Sequence, residues 1–286
     1  MRAARGAKGA FRMEVKVWIL DDNISGLPPF KAEHGLSVLL EVEGKRFLWD
    51  CGLSDLAVSN AGILGIDLRS IEGIGISHGH LDHAGGLLRV LSASGPRKIY
   101  LHPDALVPRY LKLGEARIFV GIPFTREAIE CASLGIEEST GPVEVMPGVR
   151  LTGEVVRVTD FEGPEPLLFC ERGGELVPDP FTDDQALVVD TPEGAVVLTG
   201  CAHSGLVNIL KHVIADAGKI RAVVGGTHLG MGAPLSKVKA TMDFLEEVAP
   251  AKIIVNHCTG AVVMSRMMDR FKDRFIPGAT GLVANL

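Results

Sequence analysis

Apolar residues in this chain arrive in short runs closed by Gly, Asp or Asn, and these alternate with stretches in which they recur every three or four positions. The runs at 15–20, 37–43, 46–49, 71–77 and 98–102 predict strands, with a hairpin turn at Glu43-Gly44-Lys45-Arg46. Further strands are predicted at 186–189, 195–199, 222–224 and 252–255. Helical spacing predicts helices over 55–64, through Leu91, and over 205–217, 235–248 and 261–275. Across 103–183 the rhythm fades, and only a hairpin is legible there, 167–170 with 176–177 around Gly173-Gly174. No low-complexity linker divides the chain, so one domain is expected over 13–286. Residues 1–12 read as a flexible basic leader without the apolar stretch of a secretory signal.

Composition narrows the class. The 286 residues are 47% hydrophobic and 22% charged, enough apolar surface for a sizeable core. No apolar run approaches the roughly 18 residues of a membrane span. A net charge of −6 and an aromatic content of 5% argue against a broad basic or base-stacking surface, so neither a nucleic-acid nor a membrane partner is expected. Five scattered cysteines, an odd number, do not form a disulfide framework and point to reduced thiols in a cytoplasmic protein. A small-molecule substrate is expected, with homo-oligomerisation open.

Histidine placement carries the chemistry. His78, His203, His228 and His257 each follow an apolar strand run within a few residues. In sheets flanked by helices, carboxyl ends of strands line one rim, where ligands bind. Around the first of them lies the dense segment Ser77-His78-Gly79-His80-Leu81-Asp82-His83-Ala84-Gly85-Gly86. Imidazole and carboxylate are ordinary ligands for zinc, iron and manganese. Residues two apart on an extended segment point the same way, so His78 and His80 can share one metal, while Asp82 and His83 lie where the chain turns and reach a second.

His78-Gly79-His80-Leu81-Asp82-His83 resembles the HxHxDH motif of the metallo-β-lactamase superfamily, and Asp50, closing Phe47-Leu48-Trp49-Asp50-Cys51-Gly52, is similar to its upstream aspartate. Glu33-His34-Gly35-Leu36-Ser37, Asp184-Gln185-Ala186-Leu187, Thr199-Gly200-Cys201-Ala202-His203-Ser204-Gly205, Gly225-Gly226-Thr227-His228-Leu229 and Asn256-His257-Cys258-Thr259-Gly260 resemble its dihydropterin/ribofuranosylaminobenzene-phosphate synthase-like branch. The resemblance implies an α/β fold, an αββα four-layer sandwich of two mixed sheets facing each other with helices outside. It also implies two divalent transition-metal ions, zinc foremost, with manganese or iron as alternatives. His78 and His80 would hold the first, Asp82, His83 and His257 the second, and Asp50 would buttress the loop. Two positions depart from the pattern. Asp183-Asp184 stands where the superfamily usually has a histidine, and Gly200-Cys201 where it has a bridging aspartate. His203 is the candidate to complete the site, and Cys201 is either a thiolate ligand or a buried small side chain.

A metal pair brings bound water to near-neutral pKa, so the expected activity is hydrolysis, by metal-bound hydroxide, of a small anionic phosphoester, an ester or a lactone. Asp82 would ligate and orient the nucleophile. His228 would face substrate or give a proton to the leaving group, or else be structural. Ser204 and Thr259, before two predicted helices, would either bind an anionic group of the substrate or cap those helices. His34 approaches the rim from the amino-terminal half, while His102 and His212 are expected to be structural or exposed. Transfer chemistry on a ribofuranosyl phosphate and oxidation at a single iron are the alternatives.

Overall fold

Alternate residues of single strands enter different cores, and that alternation defines the layers. In the strand Ala195–Leu198, Val196 and Leu198 pack with Val15, Val17, Ile19, Phe47 and Trp49, whereas Ala195 and Val197 pack with Leu206, Leu210 and Val213. In Val15–Asp21, Val17 and Ile19 join the first group and Trp18 and Leu20 meet Ala57, Leu87 and Val90 on the other side. The computed structural model, which describes residues 13–286, therefore has one core between two sheets and one beneath each outer helical layer. This is the αββα sandwich. Each fully buried Val, Leu or Ile contributes about 1.5–3 kcal/mol relative to exposure. The leader expected at 1–12 lies outside the described residues.

Both large sheets have seven strands. The first runs Val283–Asn285, Val15–Asp21, Ser37–Val42, Lys45–Trp49, Ile71–Gly75, Lys98–Leu101 and Ile136–Glu138. The second runs Phe275–Pro277, Lys252–Val255, Ile220–Gly225, Ala195–Leu198, Leu187–Val189, Val149–Leu151 and Val143–Met146. Within the first, Lys45–Trp49, Ile71–Gly75 and Lys98–Leu101 are parallel, as are Ala195–Leu198, Ile220–Gly225 and Lys252–Val255 within the second. Their carboxyl ends meet at one rim: the amide of Gln185 donates to the Ser77 carbonyl, and His83 Nε2 lies 3.2 Å from Cys201 Sγ. Helices Leu56–Ile63 and Leu87–Ser94 cover the first sheet, and Leu206–Ala217, Leu235–Val248 and Ala261–Phe271 the second. No helix of the described residues is long and apolar enough to cross a membrane.

The illegible middle holds structure of its own. Arg109–Leu113, Ala116–Phe119, Leu168–Arg172 and Glu175–Pro178 form a four-stranded antiparallel sheet. The Gly173-Gly174 hairpin lies in it, both glycines at positive φ as its two-residue turn requires. The expected strand 71–77 ends at Gly75, which frees Ser77 and His78 for the rim. The expected helix 261–275 ends at Phe271, and Phe275–Pro277 instead pairs with Lys252–Val255. Phe271 and Phe275 are four apart and both buried, so apolar spacing alone continues the helix past its true end.

Two rim details have measurable consequences. A Cβ on Gly79 would collide with the Ala105 carbonyl and the Arg109 guanidinium, so the loop between His78 and His80 closes only on glycine. Gly79→Ala is expected to lower stability by about 1–3 kcal/mol and to weaken divalent-metal binding, read by urea unfolding and metal titration; wild-type values in both would show that the loop has room. Beneath the rim, Asp21 is fully buried with both carboxyl oxygens unpartnered. Burial first, then the nearby Glu33 carboxylate, raises its pKa to about 8. The folded state thus keeps a proton that the unfolded chain releases near pH 4, and the stability from this group is full below that value and lost as pH rises through about 8. Asp21→Asn, always neutral, should gain stability relative to wild type between pH 5 and pH 8; parallel pH profiles of unfolding would refute this.

Candidate metal centre

The site is assembled around Asp50, at φ +58 after the strand Lys45–Trp49. Its Oδ1 accepts the Ser77 amide at 2.7 Å, and its Oδ2 accepts the Ser77 hydroxyl and a ring nitrogen of His83, Nδ1, both at 2.7 Å. These contacts turn His83 Nε2 toward the rim. A carboxylate on the far nitrogen of a ligating histidine fixes the ring and raises its basicity. His78 is set in the same way, its Nδ1 lying 2.9 Å from Ser77 Oγ.

Four overlapping groups of donors result, each with its atoms within 4.8 Å of one another: His78, His80 and His203; Asp82, His83, Cys201 and His257; and two built on His228, one with Cys201 and Cys258 and one with Glu165 and His203. The first two hold the residues expected to bind metal. Nε2 of His78, Nε2 of His80 and both ring nitrogens of His203 are buried without a hydrogen-bond partner. Buried polar atoms are rarely left so unless something else binds them. Burial, the largest cause, holds the charged forms of His78, His80 and His203 well below the ordinary histidine range. A neutral imidazole with a free nitrogen is the form that ligates a cation. The donor chemistry of both groups fits divalent transition metals.

The second group is charged. Burial opposes ionisation of Asp82, but His83 and then His257, whose Nε2 is 3.2 Å from Asp82 Oδ2, hold its pKa below the carboxylate range. In turn Asp82 and Asp50 overcome burial and bring His83 up to about 9. Proton and cation compete for this imidazole, so metal binding here strengthens as pH rises. His257 is fixed by Asn23, whose Oδ1 is 2.8 Å from its Nδ1, and by Asp22, which accepts its amide at 2.8 Å. His34 does reach the rim, with Nε2 3.3 Å from Asp82 Oδ2.

The other candidates are placed differently. Asp183 binds Arg109 at 2.6 Å and the Gly79 amide at 2.7 Å, and Asp184 accepts the Ser204 amide at 2.8 Å, so both brace ligand loops from outside the two donor groups. Ser204, expected either to bind an anionic group of the substrate or to cap its helix, is buried against Asp184, and the start of its helix is taken by Glu162, which accepts the amides of Val207 and Asn208 at 2.9 Å. A carboxylate of the chain itself occupies the place expected for substrate. Thr259 is fully buried, with its hydroxyl 3.1 Å from that of Thr227. His228 lines the pocket, its Nε2 3.8 Å from Glu165. Burial disfavours its charged form, yet Cys258 and Glu165 together raise its pKa. His102 bridges the Asp104 amide and Glu154, away from the rim.

Sequence reasoning missed Asn23, Ser77, Phe181, Glu165 and Cys258. Phe181 stacks on His203 with centroids 4.0 Å apart. The polar turn after the first strand was a usable signal for Asn23, because that strand runs parallel to Lys45–Trp49 and ends at the same rim. Glu165 carried none. Asp50, Phe181, Ala202, His228 and His257 all have positive φ, backbone strain gathered where the side chains converge.

The pocket against these donors holds about 210 Å³, and Leu111, Val120, Leu167, Leu168 and Met231 form its other wall. Residues 31–257 match the sequence profile of the metallo-beta-lactamase superfamily. The chain is 30% identical over 279 residues to a 7,8-dihydropterin-6-methyl-4-(beta-D-ribofuranosyl)-aminobenzene-5'-phosphate synthase of Methanocaldococcus jannaschii, covering 91% of this chain and 93% of that one. An uncharacterized protein of the same organism is 28% identical over 94% of this chain and 99% of its own. Among solved structures, one described as a metal-dependent hydrolase of the beta-lactamase superfamily is similar with TM-score 0.82 and 31% identity, over 95% of this chain and 99% of that one. The donor-bearing rim, the four-layer sandwich and these likenesses place the chain in the metallo-beta-lactamase superfamily.

Proposed function

We propose that the chain is a metal-dependent hydrolase of a small phosphoester, ester or lactone. The observation that carries this reading is the pair of adjacent donor groups opening on one pocket. His78, His80 and His203 would hold one divalent ion, and Asp82, His83 and His257 the other, with Cys201 beside them; zinc, manganese and iron all suit this donor set. When bound, such a pair supplies a nucleophilic water at neutral pH and positive charge opposite the anion that develops on the attacked group.

The chain's own residues do the rest. Asp82, kept ionised by His83 and His257, would ligate the cation and accept a hydrogen bond from the attacking water, which fixes its direction. His228 borders the pocket with its charged form favoured, so it gives a proton to the departing oxygen. Asp50, Ser77 and Asn23 hold the imidazoles in place during the reaction, which spares reorganisation at the moment of bond breaking. The 31% identity to a structure described as a metal-dependent hydrolase supports this reading.

A second reading, transfer on a ribofuranosyl phosphate, draws on the 30% identity to the synthase. Product analysis with and without an aromatic amine acceptor separates the two, since only a synthase joins the amine to the sugar. For the hydrolase, Asp82→Ala should lower phosphodiesterase or esterase turnover by at least about 100-fold while urea unfolding stays cooperative. An unchanged rate would remove Asp82 from the chemistry.

A further inference from the structure

The pocket is divided by chemistry. One side is the set of donors; the other is Leu111, Val120, Leu167, Leu168 and Met231. Leu167 is 49% exposed and Met231 62%, so large apolar surface stands open around a concave site. Scattered exposed leucines need no explanation, but apolar side chains gathered around one concavity do. Most of this wall comes from the four-stranded sheet and the loop before Leu168, elements outside the sandwich proper.

Apart from its histidines, the lining offers no cationic side chain. Neither lysine nor arginine borders the pocket among the described residues. Lys237 sits 3.7 Å from Glu165, which balances its charge. Arg109 is spent on Asp179 and Asp183, and Arg157 donates to the carbonyls of Pro180 and His203. The helix start at Val207 is already filled by Glu162. Apart from His228, which already faces Cys258 and Glu165, a second anionic group on a ligand would therefore be desolvated without a cationic partner, which is costly. At about 210 Å³ the pocket also lies below the ~300–1,000 Å³ typical of drug-sized ligands.

We infer that the substrate carries its one anionic centre at the reacting group and that its remainder is an uncharged, ring-sized apolar group seated on Leu111, Leu167, Leu168 and Met231. The inference rests on the hydrolase reading and names the substrate class for it. A sugar phosphate with its phosphate remote from the reacting bond is disfavoured by the same wall.

Phosphonates test this without turnover, because they offer the charged head while resisting hydrolysis. Calorimetric titration of the metal-loaded protein with methylphosphonate, phenylphosphonate and 4-carboxyphenylphosphonate reads each part separately. Phenylphosphonate should bind more than about tenfold tighter than methylphosphonate, as burial of a ring's apolar area requires, and the added carboxylate should reverse most of that gain. The double variant Leu167→Asn/Met231→Asn, at two well-exposed positions, should bring phenylphosphonate down toward methylphosphonate and leave methylphosphonate unchanged. Equal binding of the methyl and phenyl compounds, or tighter binding of the carboxylate, would overturn the apolar assignment while leaving the hydrolase reading intact. Failure of all three to bind would remove the phosphoester form of the hydrolase reading, and this inference with it.

Discussion

The carboxylate of Asp50 is the constraint on which the rim depends. It has no exposure to water, and its oxygens take the amide and hydroxyl of Ser77 and the Nδ1 side of His83. Through Ser77 it also orients His78. One group thus ties the end of one parallel strand to the loop that follows its neighbour. A buried carboxylate is tolerable only when fully bonded, and here its bonds position two candidate ligands, His83 directly and His78 through Ser77. Gly200 reinforces the fit, since a Cβ there would strike Ser77.

Around this anchor, burial and charge divide the work. Desolvation strips the proton from His78, His80 and His203, leaving nitrogens that the protein itself does not satisfy. At the other group, Asp82 and Asp50 draw positive charge toward His83. Divalent cations would answer both conditions, by occupying the unpartnered nitrogens and by replacing the proton between the carboxylates. The cost of assembling such a site falls on the backbone, where five residues without glycine's freedom are held at positive φ. The outer braces, Asp183 on Arg109 and Asp184 on the Ser204 amide, show how two carboxylates next to a ligand loop can serve position rather than ligation.

Legibility in the sequence followed the strength of local pattern. Most of the sandwich was readable because most of its strands are continuous apolar runs and most of its helices keep a clear apolar face. Asp82 and the histidines were readable because they stand at the ends of those runs. The stretch 103–183 was not, because Ala116–Phe119 is exposed throughout and the strands from Ile136 to Leu151 are short and half-polar, so pairing rather than pattern defines them. Long-range bonds were equally hidden. Nothing near Ser204 in the chain announces that Glu162, more than forty residues earlier, fills the adjacent helix start. Similarly, the place of Asn23 on His257 spans 234 positions and exists only once both sheets are folded.

Elemental analysis of the folded chain after reconstitution with zinc, manganese or iron decides whether the rim is a metal centre. Close to two tightly held ions per chain are expected, one at His78, His80 and His203 and one at Asp82, His83 and His257. Absence of bound metal after all three reconstitutions would contradict this, because the unpartnered imidazoles and the carboxylate-bound His83 would then be answering to something other than a cation.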